Sequence, residues 1–131
     1  MTVENLTTFH RMQDEDTSYI YISGYHNTLK QHFIMRLAQE NPELKWYHFG
    51  DLDPDGLLIL EHLKKGTGLR FEAFHMGLED LKRFQRYGRE LNENDRKKAQ
   101  TLMDAGLYCK EISYMLQENV KLEQEIIGWN L

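Results

Sequence analysis

Cysteine occurs once, at Cys109, and proline only twice in 131 residues. A lone cysteine excludes an internal disulfide framework and fits a reducing cytoplasm, the compartment expected for this chain. No apolar run approaches the length of a membrane span. No signal peptide stands ahead of the first acidic residue, Glu4, so no membrane partner is expected. Positive charge is scarce as well: 16 Lys and Arg stand against 21 Asp and Glu, for a formal net charge of −5. The chain as a whole therefore does not advertise nucleic-acid binding. Internal repeats and low-complexity segments are also missing.

What is present is ordinary soluble-domain material, 40% hydrophobic and 28% charged, in a length that suits one domain with a real core. The charge is unevenly spread. Between Lys82 and Lys98, seven basic residues (Lys82, Arg83, Arg86, Arg89, Arg96, Lys97 and Lys98) face only Glu90, Glu93 and Asp95, a local net of +4. A solvated helical face is the plain reading of such a run, and a phosphate-facing patch is the sharper one.

Along the chain, "TSYIYISG" (17–24) is β-branched and aromatic with a glycine stop, a buried strand. Helical spacing of Leu29, Phe33, Ile34 and Leu37 follows, with Asn27 as cap and Asn41-Pro42 as the end. "KWYHFGD" reads as a second buried strand. "DPDGLLILEHLKKGTG" reads as a helix with Asp53 at its N-cap, Pro54 in the first turn and Gly66 as its stop. Its leucines and Ile59 run nearly all the way round, so neighbours should cover it on most sides. "LRFEAFHMG" is a third strand. "LEDLKRFQRYG" is a helix through Leu78, Leu81, Phe84 and Tyr87, and the remainder is helical with breaks at Gly106 and near Asn119. Alternation of strand and helix implies a parallel sheet with helices on its faces. The opening "MTVENLTTF" offers only a stub of a first strand around Val3. We therefore expect residues 1–131 to be one domain, the C-terminal piece of a longer protein; a genuinely short start with three strands is the alternative.

Three aspartates, Asp51, Asp53 and Asp55, stand two apart inside the apolar stretch "WYHFGDLDPDGLLILEHLKKG" (46–66). Crowding like charges is costly unless something neutralises them. In a parallel α/β sheet, ligands sit beyond the carboxyl ends of the strands. Asp51 and Asp53 lie at such an end, and Glu4 would lie at another if "TVE" is a strand. Hard oxygen donors in a small cluster suit Mg²⁺ or Mn²⁺, with waters and phosphate completing the shell. Such an ion can polarise a phosphodiester or steady a departing oxygen. Asp53 as a helix N-cap explains one aspartate and not three. A calcium loop of the EF-hand type puts Asp51, Asp53, Asp55 and Gly56 at its first, third, fifth and sixth positions. Its twelfth is then His62 where a bidentate glutamate belongs, and Pro54 sits inside it. An aspartyl-phosphate phosphatase needs its D-x-D after the first core strand, and here at least one strand comes earlier.

Glu4 in "VEN" and "GDLDPDG" with Asp51, Asp53 and Asp55, in this order, resemble the Toprim domain of topoisomerases, primases and some nucleases. "VENLTTF", "YHFGDLDPDGLLIL", "HMGLEDLKRF" and the terminal "KLEQE" look more closely like one branch of it. That branch is the C-terminal domain of the bacterial family to which the JetD nuclease subunit of the Wadjet plasmid-defence system belongs. It is itself similar to the A subunit of topoisomerase VI and to the meiotic double-strand-break protein. The resemblance spans essentially the whole chain. It implies a Toprim-like, Rossmann-like α/β fold: a parallel sheet of about four strands, helices on both faces and a helical C-terminal extension. It also implies Glu4 as general acid/base or metal ligand, Asp51 and Asp53 as catalytic Mg²⁺ (or Mn²⁺) ligands, and Asp55 as an auxiliary one. Glu123 and Glu125 match a family segment to which no role is attached, and a helix surface suits them equally. The attacking tyrosine of the topoisomerase relatives lies in a separate winged-helix domain, which nothing here resembles. None of the 7 tyrosines is marked by its context. His48, His62 and His75 read as packing or surface residues.

Two functions from different classes follow. One is a Mg²⁺-dependent DNA-cleaving module of a larger plasmid-defence or chromosome-maintenance protein. Its partners would be DNA, other subunits of a complex and, as an open option, a second copy of the chain. The other is a non-catalytic metal-binding or assembly module that docks on partner subunits. The complete acidic set Glu4, Asp51 and Asp53 favours the enzyme.

Overall fold

The computed structural model describes residues 1–25 and 27–131. Four short parallel strands form one sheet in the order β2-β1-β3-β4. These are β1 (Thr2–Val3), β2 (Ile20–Tyr21), β3 (Trp46–Phe49) and β4 (Phe71–Ala73). Helices α1 (Leu6–Arg11), α2 (Thr28–Glu40) and α3 (Pro54–Thr67) connect them in turn. The chain therefore leaves β1 toward one edge through β2, then returns past β1 to build β3 and β4 on the other side. The gap between β1 and β3 is the topological switch point, where ligands of open α/β sheets are received.

Strand residues three apart point to opposite faces, and β3 shows it. Trp46 joins a core with Ile22, Ile34, Ile59, Leu60, Leu63 and Phe71. Phe49 joins a second core with Leu52, Leu57, Leu81, Phe84, Leu102, Ile112 and Ile127. On one face α2 packs on α3, while α1 packs on the C-terminal helix. The fold is α/β of the Rossmann type, with helices on both faces, consistent with a Toprim-like domain.

After β4 come α4 (Leu78–Phe84), a 3-10 turn (Gln85–Tyr87), α5 (Glu93–Asp104), α6 (Cys109–Glu118) and α7 (Gln124–Gly128). Breaks fall at Gly106 (φ 69°) and Asn119 (φ 50°), both in the left-handed region where helices end. The segment between α6 and α7 then runs antiparallel to two others. Leu122 exchanges both backbone hydrogen bonds with Leu52, at 2.9 and 3.0 Å, and Lys121 does the same with Arg89, at 2.9 Å each. This clamp carries "KLEQE" from the C-terminus to the D-x-D loop.

Four sequence expectations need correction. The stretch 17–24, expected as a buried strand, gives only Ile20–Tyr21, half-buried because β2 is the edge of the sheet. The stop of α3 is Gly68 (φ 70°), not Gly66. Gly66 stays helical, and a Cβ there would meet the end of the Gln31 side chain of α2. Within α2 only Ile34 is buried. Leu29 and Phe33 are 77% and 56% exposed, because α3 covers one stripe of α2 and no other element described reaches its far side. Tyr87, expected to line the helix with Leu81 and Phe84, is exposed at the end of the 3-10 turn.

Candidate metal and phosphate site

Local sequence sets each carboxylate. Glu4 follows β1 directly, and its N–H donates to the Phe49 carbonyl at 3.1 Å, so its side chain leaves the sheet beside the end of β3. Gly50 makes room for it: a Cβ there would collide with the Glu4 carboxylate. Asp51 begins the loop, and its Oδ1 accepts the backbone N–H of Gln124 at 2.7 Å. Asp53 is the N-cap of α3 as expected, its Oδ1 accepting the Gly56 N–H at 2.6 Å, with Pro54 in the first turn. The strand–loop–helix path through Asp51, Asp53 and Asp55 is not the helix–loop–helix of an EF-hand.

The carboxylates feel each other. Burial, with the charges of Asp51 and Asp53 next, pushes Glu4 up to about 8, while an Asp51 backbone N–H bonded to it works the other way. Burial pushes Asp53 up to about 6 against the pull of the Gly56 N–H, and burial also raises Asp51. Glu4 Oε2 is buried and accepts no hydrogen bond. It lies 4.0 Å from Nε2 of His48, a fully buried histidine whose Nδ1 is 3.0 Å from the Thr2 hydroxyl.

Among the described residues, no three His, Cys, Asp or Glu side chains stand as a ready cage for an ion. The donor set fits a hydrated Mg²⁺ or Mn²⁺, which such sites hold through one or two carboxylates plus water and phosphate.

Asp55 is differently placed. Its Oδ1 accepts Lys98 Nζ at 2.6 Å and the Tyr25 hydroxyl at 2.9 Å. Glu123 and Glu125 also face other groups. Glu123 pairs with Arg89 at 3.1 Å, and Glu125 accepts from the Asn5 side chain at 3.0 Å. Between them lies Gln124, fully buried, whose Oε1 accepts the Asn5 N–H at 2.9 Å. Arg89 and Lys121 line a cavity of about 400 Å³ with Asp51, Asp53 and Glu123. Sequence reading missed Gln124, Tyr25 and Lys98, although Gln124 lies inside "KLEQE" and Lys98 closes the basic run; His48 is buried, the packing role expected of it. His62 contacts the Tyr25 ring, and His75 is 2.9 Å from Asp80.

The chain matches the family model described as Wadjet protein JetD, C-terminal, over residues 1–131. It is 29% identical over 138 residues to the Wadjet protein JetD of Bacillus cereus, covering 100% of this chain and 34% of that protein. It is also 25% identical over 125 residues to the meiotic recombination protein rec12 of Schizosaccharomyces pombe, covering 85% of this chain and 36% of that protein. The chain spans about a third of the length of these relatives. With its match running from the first residue to the last, the chain belongs to the family of JetD C-terminal domains.

Proposed function

We propose that this chain is the metal-binding, DNA-cleaving module of a plasmid-defence protein of the Wadjet type. The observation that supports the reading is the placement of Glu4 directly after β1 beside the end of β3, where the D-x-D loop begins, with a buried Glu4 oxygen that accepts no hydrogen bond. Family membership supports the defence setting, and the likeness to a meiotic recombination protein supports DNA as the substrate.

Glu4, Asp51 and Asp53 would hold Mg²⁺ or Mn²⁺, which when bound neutralises charge and polarises a phosphodiester. Asp51 is held in one orientation by the Gln124 N–H, and Asp53 by the Gly56 N–H. Burial beside Asp51 and Asp53 raises the Glu4 carboxyl in the metal-free site, so Glu4 gives up its proton when it takes the ion. Arg89 and Lys121 stand beside Asp51 and Asp53 in the same cavity, where they offset the repulsion between these carboxylates and a DNA backbone. DNA, other subunits of the complex and a second copy of the chain are the partners of this reading.

Plasmid nicking by the intact protein tests it. Cutting should require Mg²⁺ or Mn²⁺ and stop on chelation. Equal cutting in excess chelator would return the chain to the assembly-module reading.

A further inference from the structure

The basic run from Lys82 to Lys98 divides sharply in the structure. Arg83 and Arg86 lie over the Phe84 and Tyr87 rings at 5.1 and 4.7 Å, Arg89 pairs with Glu123, and Arg96 donates to Asn119 at 2.8 Å. These four are exposed, as are Lys82 and Lys97. Lys98 differs. Its side chain is 26% exposed, on the helix that packs against α3, and its ammonium is 2.6 Å from Asp55 and 5.9 Å from the Tyr25 ring centre. The Tyr25 hydroxyl, on the same Asp55 oxygen, lies in the field of Asp55, Asp53 and Glu4. Lys98 is thus the partly buried cation of the run, held on Asp55 at the edge of the acidic centre, while Arg89 beside Asp51 and Asp53 stays exposed.

Fixing a lysine costs rotamer freedom along its whole side chain. The Asp55 contact and the packing of the stem meet that cost before any ligand arrives. An ammonium is a point charge with three donors, suited to a phosphate oxygen. One donor on Asp55 leaves two for a ligand. Asp55, with one oxygen shared by Lys98 and Tyr25, is well placed to hold the lysine.

We propose that Lys98 binds a phosphate of the DNA backbone next to the one being cut, and that Asp55 and Tyr25 are its positioning residues. The proposal rests on the DNA-cleaving reading above. The plainer possibility is that Lys98 only neutralises Asp55, and the two roles separate in a double mutant.

The test uses the intact protein as wild type, Lys98→Met (which keeps the apolar stem), Lys98→Arg, Asp55→Asn and the Lys98→Met/Asp55→Asn pair. Filter binding to plasmid-length DNA over a salt series is read beside nicking kinetics. Lys98→Met should flatten the log affinity against log salt by about 0.9, one phosphate contact. It should raise KM several-fold more than it lowers kcat. Lys98→Arg should keep the wild-type slope, and the pair should stay as impaired as Lys98→Met. An unchanged slope in Lys98→Met, or wild-type behaviour of the pair, overturns the proposal. Loss of the cleavage reading would show separately, as wild-type protein that does not nick, and the salt slope would still report on Lys98.

Discussion

The backbone N–H of Gln124 donates to the Asp51 carboxylate at 2.7 Å, across 73 residues of chain. The side chain of the same glutamine accepts the Asn5 N–H at 2.9 Å, one residue past Glu4. A buried glutamine thus ties the ends of β1 and β3, the two strands that carry the acidic residues. The Leu52–Leu122 backbone pair holds it there.

Gln124→Ala leaves the main-chain bond to Asp51 intact and strips the Asn5 N–H of its acceptor. An orphaned, partly buried donor costs about 1–2 kcal/mol. Thermal melting should show that loss, and calorimetry should show weaker Mn²⁺ binding. Equal melting and equal Mn²⁺ affinity would mean that Gln124 does not organise the site.

Acid should stabilise the metal-free protein. Glu4 and Asp53 keep their protons up to about pH 8 and 6 when folded, above their ordinary values of 4.5 and 3.8. Between these limits the folded state binds more protons than the unfolded one, so stability falls as pH rises. The decline begins near pH 4 and levels off above about pH 8. Melts over this range should show it, and added Mg²⁺ should raise the melting temperature more at the alkaline end. A Mg²⁺ effect equal at both ends would detach the ion from these carboxylates.

Glu4→Gln removes one of the crowded charges while keeping the shape. It should melt at or above the wild-type temperature without metal at pH 8, and it should cut far less. That opposition of stability and activity marks a strained functional group rather than a structural one. A variant that loses both together would assign Glu4 to the fold.

Leu29 and Phe33 offer a contrast. Exposed on α2, they should tolerate Leu29→Lys and Phe33→Lys within about 0.5 kcal/mol, as surface positions do. A large loss in a chemical melt would mean that another element covers this face.

The strands, the caps at Asn27 and Asp53 and the breaks at Gly106 and Asn119 were legible because each follows from short-range chemistry. A β-branched run, a side-chain oxygen at a helix start and a residue tolerant of positive φ are all visible in a few letters. Glu4 and the D-x-D loop were legible as strand ends, and the parallel sheet brings them together. Leu29 and Phe33 were misread because periodicity shows a helix stripe and not whether a partner covers it. Gly66 looked like a stop because letters alone do not separate it from Gly68, which takes the left-handed turn. Gln124, Tyr25 and Lys98 reach the site from 73, 30 and 43 residues away from the aspartates they touch. No local pattern carries such distances, and they exist only once the sheet and the C-terminal clamp have formed.

The central claim is that Asp51 and Asp53 act on the chemistry and not on the grip of the DNA backbone. Its most direct test is plasmid nicking by the intact wild type and by Asp51→Ala/Asp53→Ala at matched salt, beside a filter-binding titration. The account predicts that the wild type cuts in Mg²⁺ or Mn²⁺, and that the double mutant loses cutting while keeping most DNA binding. A double mutant that cuts at the wild-type rate would contradict it.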